Sequence, residues 1–320
     1  MTFDRRTFVM QLLALLTACG GEVTIDPPPV DAPVPPADPD STFHAIYDDP
    51  ARAEDFKGFF EEVFRLYPPD ALHDLVGAST RSHATDERIY QAIAQGLPQI
   101  SPRARLLTLA LPALQKQKRV MASQSAALLK RPSGQTWDGY LEIGTTGRYA
   151  RALGRAVPLS GDVYVCNDRA PSKDPADIVE RGQLNEVGTF VPLEDYAPVG
   201  IPANSVALIT NFIGFHHAPL ERLDGFIDGL RRALKPDGVL LLREHDVTDP
   251  RMGQVAALAH DVFNAGTELT WAENQAEFRA FRSVGEWTKM LQSRGFTRLA
   301  GAELQAGDPT ANTLLAFQKA

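Results

Sequence analysis

The sequence predicts an α/β protein, a doubly wound, mostly parallel sheet behind a helical N-terminal extension. Two observations carry that expectation. Apolar residues recur at helical spacing from about residue 51 to residue 130, whereas from Trp137 onward short β-rich runs alternate with helical ones. That second rhythm belongs to parallel strands joined by crossover helices. The β-rich runs also leave through polar or glycine-containing stretches, "EIGTTGR", "NDRAP", "NFIGFHH" and "REHDVTD". Ligands of such sheets bind at that carboxyl-end rim.

The bulk numbers set the frame. The chain has 320 residues, 44% hydrophobic and 22% charged, with net charge −8, enough to bury a sizeable core. A nucleic-acid partner needs a basic footprint to displace counterions, and no long Lys/Arg run exists, so nucleic acid is not expected. The two cysteines, Cys19 and Cys166, do not read as a disulfide pair, and no CxxC is present, so no metal ligand set is expected from cysteine.

The first residues read as an address. Arg5 and Arg6 precede an apolar stretch, Val9 to Leu16, too short to span a bilayer stably. This start resembles a twin-arginine export signal, and "LTACG" resembles the lipobox of bacterial lipoproteins, which implies lipid on Cys19. The expected organisation is a signal peptide over 1–19, a Pro-rich disordered tether over 20–42, a helical extension over 43–135 and a sheet domain over 136–320. Proline prevents helix and sheet in the tether, leaving it extended and semi-rigid. A lipidated cysteine followed by such a tether implies an exported, membrane-anchored lipoprotein. If the apolar stretch is instead a frayed helix, the protein stays cytoplasmic.

In the extension, Phe56, Phe59, Phe60, Val63 and Phe64 form one apolar helix face, and "YPPD" ends that helix at Tyr67. Further helices are predicted over 85–95 and from Pro102 towards Leu129. This region reads equally as a cap over a site that selects substrates, or as a packing subdomain or homodimer surface. Strands follow at "YLEIG", 162–168, 205–212 and 238–245, and "FTRLAGAELQ" with "NTLLAFQKA" reads as a terminal hairpin. Leu220, Leu223, Phe226, Ile227, Leu230 and Leu234 face one side of a helix closed by "KPDG". Ser283 and Glu286 have capping-box spacing and open a helix that stops at Gly295.

At this point the chain resembles a class I S-adenosylmethionine-dependent methyltransferase over about residues 137–320. "LEIGTTGR" resembles the family's acidic-x-Gly-x-Gly motif, "VYVCND" ends in an acid as the second strand does, and "LRRALKPDGVLLLRE" resembles the helix-turn-strand before the fifth strand. The resemblance implies a seven-stranded Rossmann-like methyltransferase fold with S-adenosyl-L-methionine as cofactor. It also implies cofactor-binding roles. Glu142 would order the loop or meet the cofactor's amino-acid end, and Gly144 and Gly147 would let the backbone approach closely. Thr145 belongs to the same loop. Asp168, with Asn167 as fallback, would take the ribose hydroxyls. Asp195 would meet the adenine amino group, and Asn211 stands at the exit of the fourth strand. Two departures stand out: Thr146 where an ungapped alignment has the second glycine, and Ala207 where the family often has an acid.

Methyl transfer from a sulfonium is an in-line displacement that mainly needs positioning. A protonated acceptor also needs a base. His216, His217, Glu244, His245 and Asp246 leave the predicted rim, and His217, His245 and Glu244 are the expected catalytic groups. The same five residues could instead hold a metal, since two His-containing segments meeting at the rim offer enough ligands, but their spacing fits no standard metal signature, so no metal is expected. Glu268, Trp271, Glu273 and Arg282, in the stretch before the capped helix, are candidates to touch the acceptor. No GxSxG, HExxH or GxxxxGK[ST] occurs, and "GTTGRY" does not supply GxGxxG, which excludes the commonest hydrolase, zincin, P-loop and nicotinamide readings. The expected function is methyl transfer to an unidentified small molecule. The alternative is an exported lipoprotein using the fold as a non-catalytic binding module, because an exported enzyme would lack a donor made inside the cell.

Overall fold

The computed structural model describes residues 38–102, 106–129 and 136–320. The export signal, Cys19 and the tether up to residue 37 lie outside the described residues.

The chain enters through helices. Ser41, the N-cap, accepts the His44 N–H and starts α1 (Thr42–Tyr47). Asp49 caps α2 (Pro50–Glu62), whose first position is Pro50, a residue suited to a turn with no donor to satisfy. The expected face is buried at Phe56, Phe59, Phe60 and Phe64, but the helix ends at Glu62, before "YPPD" rather than at it. Pro68 and Pro69 instead open α3 (Pro69–Ser82). α4 spans Asp86–Ile100, five residues past the expected stop and through Pro98. A π turn at Leu106–Ala110 leads into α5 (Leu111–Leu128).

The sheet begins with β1 (Trp137–Ile143), followed by α6 (Ala150–Ala156), β2 (Leu159–Asn167), α7 (Pro175–Arg181) and β3 (Thr189–Pro192). Then come β4 (Val206–Asn211), α8 (Leu220–Ala233), β5 (Leu234–His245), α9 (Pro250–Gly266) and α10 (Trp271–Ala276). The chain closes with α11 (Val284–Ser293), β6 (Phe296–Arg298), β7 (Glu303–Leu304) and β8 (Asn312–Lys319). The strand order is β3-β2-β1-β4-β5-β8-β6, with β7 also on β8. Ladders from β3 to β5 are parallel, and β8 runs antiparallel to β5 and to β6. Because β5 occupies one side of β8, β6 and β7 share the outer edge, giving seven positions across the sheet. This is the expected doubly wound, mostly parallel, Rossmann-like sheet.

The sequence reading did not name β3, α7, α9 or α10, although Asp249 caps α9 ahead of Pro250 and Thr270 with Glu273 forms a capping box that opens α10. β3 is four residues long and ends on a proline. The helix closed by "KPDG" stops at Ala233, and Leu234 already pairs with Val206. The "KPDG" residues form an excursion in the ladder, with Asp237 at φ 59°.

The core has three parts. One sheet face packs on α8 and α11 around Phe226, Leu230 and Trp287, and the other packs on α5 and α6 around Met121 and Leu153. The N-terminal helices form a third cluster, completed by Leu258, Ala259, Val262 and Ala265 of α9. Two phenols latch it: Tyr67 donates to Gly266 O at 3.1 Å and Tyr90 to Leu269 O at 2.7 Å. The extension is therefore tied to the element that follows β5, beside the sheet's carboxyl edge.

Candidate functional site

Register sets the site. Ile143, the last residue of β1, lies opposite Cys166 of β2 and Asn211 of β4. Three strands therefore end nearly level, and Gly144, Asn167 and Phe212 emerge together. β5 runs on: Asn211 pairs with Leu242, and the strand continues along β8 to His245 opposite Asn312. Glu244 and His245 thus stand beyond the end of β4. The order reverses between β1 and β4, which is where doubly wound sheets bind ligands. A cavity of about 510 Å³ opens there, an ordinary size for a small-molecule site. Phe59 and Val63 at the end of α2, Gln117 of α5 and Ala259, His260 and Phe263 of α9 complete its wall.

At one end lies the glycine turn. Gly144 has φ +80°, a conformation that glycine adopts without a Cβ penalty, and its N–H donates to Cys166 O at 2.8 Å. Glu142 does not line the cavity. It is buried beneath the turn and accepts the Tyr149 N–H at 3.0 Å, the Tyr140 hydroxyl at 3.1 Å and the Thr145 hydroxyl. Of its two expected roles, the geometry is that of loop ordering. Burial pushes its carboxyl above the ordinary range, opposed by those donors. Thr145 lines the cavity and its Oγ1 accepts from Gly147 N at 3.2 Å and Arg148 N at 3.1 Å. Thr146 lines it too, and its buried hydroxyl has no hydrogen-bond partner among the described residues.

The other expected cofactor residues divide. Asn167 and the exposed Asp168 line the same cavity as Gly144. Gly147, at φ +97°, faces away: a Cβ there would meet Val187 at 2.8 Å, so its place is a packing one. Asp195 is exposed, adopts φ 55° and pairs with Arg222 at 3.1 Å, outside the cavity lining. Asn211 is buried and accepts the Gly214 N–H at 3.1 Å, holding the turn after β4 rather than facing the cavity. Ile213, which sequence reasoning passed over, fills the space that a Cβ on Gly144 would need.

At the other end four of the chain's seven histidines meet. His216, His217, His245 and His260 all line the cavity. Glu244 does not; it sits behind, with Oε2 at 2.7 Å from His216 Nδ1 and Oε1 receiving the Phe215 N–H. His217 Nδ1 lies 3.2 Å from Glu277 Oε1, and the other oxygen of Glu277 accepts from Arg279 Nε at 3.0 Å and Asn264 Nδ2 at 2.8 Å. Arg279 also reaches Asp261 at 2.7 Å and Asn274 at 2.6 Å, so Glu277 is fixed by a buried network. His245 Nδ1 is 3.0 Å from Thr310 O. Burial and then His216 lower its pKa to about 3, which makes it a weak base at neutral pH. Burial with His216 and His245 also pushes His260 well below the usual imidazole range.

His260 and Glu277 were not singled out from sequence. The signal for His260 is the polar pair His260-Asp261 interrupting the apolar run "VAALAHDVF", legible only once α9 is recognised. Asp246 is spent on structure, accepting the Val284 N–H at 2.8 Å at the start of α11. Of the acceptor candidates, Glu273 lines the cavity. Trp271 packs on Tyr90, Arg282 lies over Trp287 at 5.6 Å, and Glu268 is exposed at φ 66°.

Ion pairs fix the walls between the two ends. Arg148 pairs with Glu180 at 2.5 Å, and Lys118 donates to Glu180 O. Burial, then Arg148, lowers Lys118 to about 8. Arg169 pairs with Asp177 at 2.6 Å beside Asp168.

No family model matches the chain, and no curated protein matches it. Solved structures do. The Burkholderia thailandensis 1,6-didemethyltoxoflavin-N1-methyltransferase, with bound 1,6-didemethyltoxoflavin and S-adenosylhomocysteine, is 13% identical over 63% of this chain and 78% of its own, at TM-score 0.42. The mitomycin 7-O-methyltransferase MmcR is 18% identical over 79% and 68%, at TM-score 0.45. The CurJ carbon methyltransferase is 17% identical over 84% and 70%, at TM-score 0.45.

Proposed function

We propose that the protein is an S-adenosyl-L-methionine-dependent methyltransferase acting on a small-molecule acceptor. One observation carries the reading: Gly144 and Asp168, leaving β1 and β2, line a single cavity at the point where the strand order reverses. Residues present suit the cofactor. Asp168 offers two acceptor oxygens for vicinal hydroxyls, and the unpartnered Thr146 hydroxyl supplies a donor inside the cavity. Arg148, Arg169 and Arg243, the guanidinium groups of the lining, are paired with Glu180, Asp177 and Asp308, which offsets their charge towards a sulfonium.

The bound donor supplies a methyl group on positively charged sulfur, and the chain's task is to align the acceptor and exclude water. Phe212, Ile213 and Phe263 give apolar walls for that purpose. The acceptor is proposed to enter the histidine-lined end. His245 is too weak a base, and Glu244 is turned away, so His217, set by Glu277, is the imidazole available for the acceptor's proton. Calorimetry on the full chain with S-adenosylmethionine and with S-adenosylhomocysteine tests the reading. Saturable binding of either is expected, and absence of both removes it.

A second reading, an exported binding module, is favoured by Ile213 covering Gly144 where close approach was expected. It predicts binding without transfer to any phenol, enol or amine acceptor. No described helix is long and apolar enough to cross a membrane. The anchor proposed is lipid on Cys19: a Cys19→Ser variant should leave the membrane fraction, and unchanged partition excludes lipidation.

A further inference from the structure

We infer that His216, His217 and His260 form a binding site for one zinc-class divalent cation, open towards the cavity. The inference goes beyond methyl transfer and does not depend on it. One ring nitrogen from each residue lies within 4.8 Å of the other two. His216 and His217 leave β4, whereas His260 comes from α9, so the set is assembled by the fold and not by a sequence motif.

The decisive contact joins two imidazoles. Nε2 of His216 lies 3.3 Å from Nε2 of His260. The opposite nitrogens are both committed as donors: His216 Nδ1 faces the Glu244 carboxylate at 2.7 Å, and His260 Nδ1 faces Ala256 O at 2.8 Å. In neutral rings with those tautomers, both Nε2 atoms carry lone pairs, which point at each other across 3.3 Å. Something positive must lie between them, a shared proton or a metal ion. In a tetrahedral site with metal–nitrogen bonds of about 2.0–2.1 Å, two ligand nitrogens stand about 3.3–3.4 Å apart. The observed separation matches that edge; the ion would lie to one side of the line between the two nitrogens, so both rings turn to aim at it, and the His217 nitrogen, within 4.8 Å of the other two, has to move in with them.

The surroundings are those of a metal centre. The rings of His216 and His260 are each held from behind by an acceptor, Glu244 and the Ala256 carbonyl, the arrangement that orients imidazoles and strengthens them as ligands, and Glu277 Oε1 lies 3.2 Å from His217 Nδ1. Phe281 packs on His216, His245 and His260 at 5.1–5.6 Å and screens one side. The cavity lies on another side, leaving a coordination position for an oxygen or nitrogen of an incoming molecule. Three neutral imidazoles suit zinc or cobalt, not magnesium or calcium, which prefer oxygen. With the cation bound, the His217 lone pair is committed, and the cation itself can polarise an acceptor oxygen.

The test uses the untagged full chain without S-adenosylmethionine. Zinc titrated by calorimetry should bind at one equivalent per chain, and cobalt should give the intense visible absorption of a tetrahedral site. His216→Ala and His260→Ala should each weaken zinc by more than about 100-fold, and Glu277→Gln, which alters only an outer partner, by about 10-fold or more. His73→Ala, in the N-terminal helices, should change nothing. Absence of one-to-one zinc binding, or the weak absorption of octahedral cobalt in the unmutated protein, overturns the site and leaves a proton between the rings. So does binding that survives both histidine substitutions. The cobalt spectrum needs no variant, so a misfolded variant does not shelter the proposal. Because no methyl donor is present, failure here leaves the donor-binding reading to its own calorimetric test.

Discussion

The side chain of Ile213 occupies the space in front of the Gly144 Cα: a Cβ built on Gly144 would stand 2.2 Å from Ile213 Cδ1. The glycine is therefore required twice, by φ +80° and by this close packing. Gly144→Ala should destabilise the protein by about 2–4 kcal/mol, adding backbone strain to overpacking. In an Ile213→Ala background the overpacking disappears, and adding Gly144→Ala should then cost only the strain of roughly 1 kcal/mol or a little more. Urea unfolding of the four proteins measures the coupling. Strict additivity would mean that Ile213 does not sit on the turn.

Beneath the same turn, Glu142 predicts a pH signature. Burial raises its carboxyl above the ordinary 4.5, so the native state holds that proton more tightly than the unfolded chain. The stabilisation linked to this proton is full below about 4.5 and is lost as pH rises through the raised value. Glu142→Gln keeps an oxygen for the Tyr149 N–H and removes the titration. The stability of the unmutated protein minus that of the variant should therefore fall between pH 4.5 and neutrality. Denaturation midpoints across that range test the sign, and a rising difference would contradict the buried placement.

Much of the sheet domain was legible because its strands are apolar runs with glycine or polar exits, and because Ser283 and Glu286 do form the capping box that opens α11. Residues of the rim words "EIGTTGR" and "NDRAP" line one end of the cavity. What failed was inference from neighbours in sequence to neighbours in the site. Asp195 and Asn211 sit close to strand ends yet turn away, Asp195 to Arg222 and Asn211 to its own turn. Gly147 was read as a second ligand-facing glycine, but its open side meets Val187. The histidine cluster was only half visible, since His260 reaches it from a helix 44 residues beyond His216.

Cys166 gives a probe of opening. It is fully buried in β2, and burial pushes its thiol up to about 12. The reactive thiolate is then scarce and shielded. Iodoacetamide at mildly alkaline pH should leave Cys166 unmodified in the native protein, and labelling should appear with the urea transition seen by circular dichroism. Mass spectrometry of the peptide carrying Cys166 reads it without interference from Cys19. Rapid native labelling would mean that β2 is exposed at that position.

The last prediction separates two acids that the sequence could not. Asp168 lines the cavity beside Gly144, whereas Asp195 pairs with Arg222 outside its lining. If Asp168 accepts hydroxyls from the methyl donor, its loss removes hydrogen bonds to a charged group, about 1.5–3 kcal/mol. That corresponds to roughly 10–150-fold weaker binding of S-adenosylhomocysteine. Asp168→Ala is a change at an exposed position, so the thermal midpoint should stay within the small range of surface substitutions, about 0.5 kcal/mol in stability. Asp195→Ala should leave affinity unchanged. Calorimetric titration of the two variants decides it: equal affinities, or a loss confined to Asp195→Ala, would move the nucleoside end of the site away from β2 and take the Gly144–Asp168 convergence out of the argument for a methyl donor.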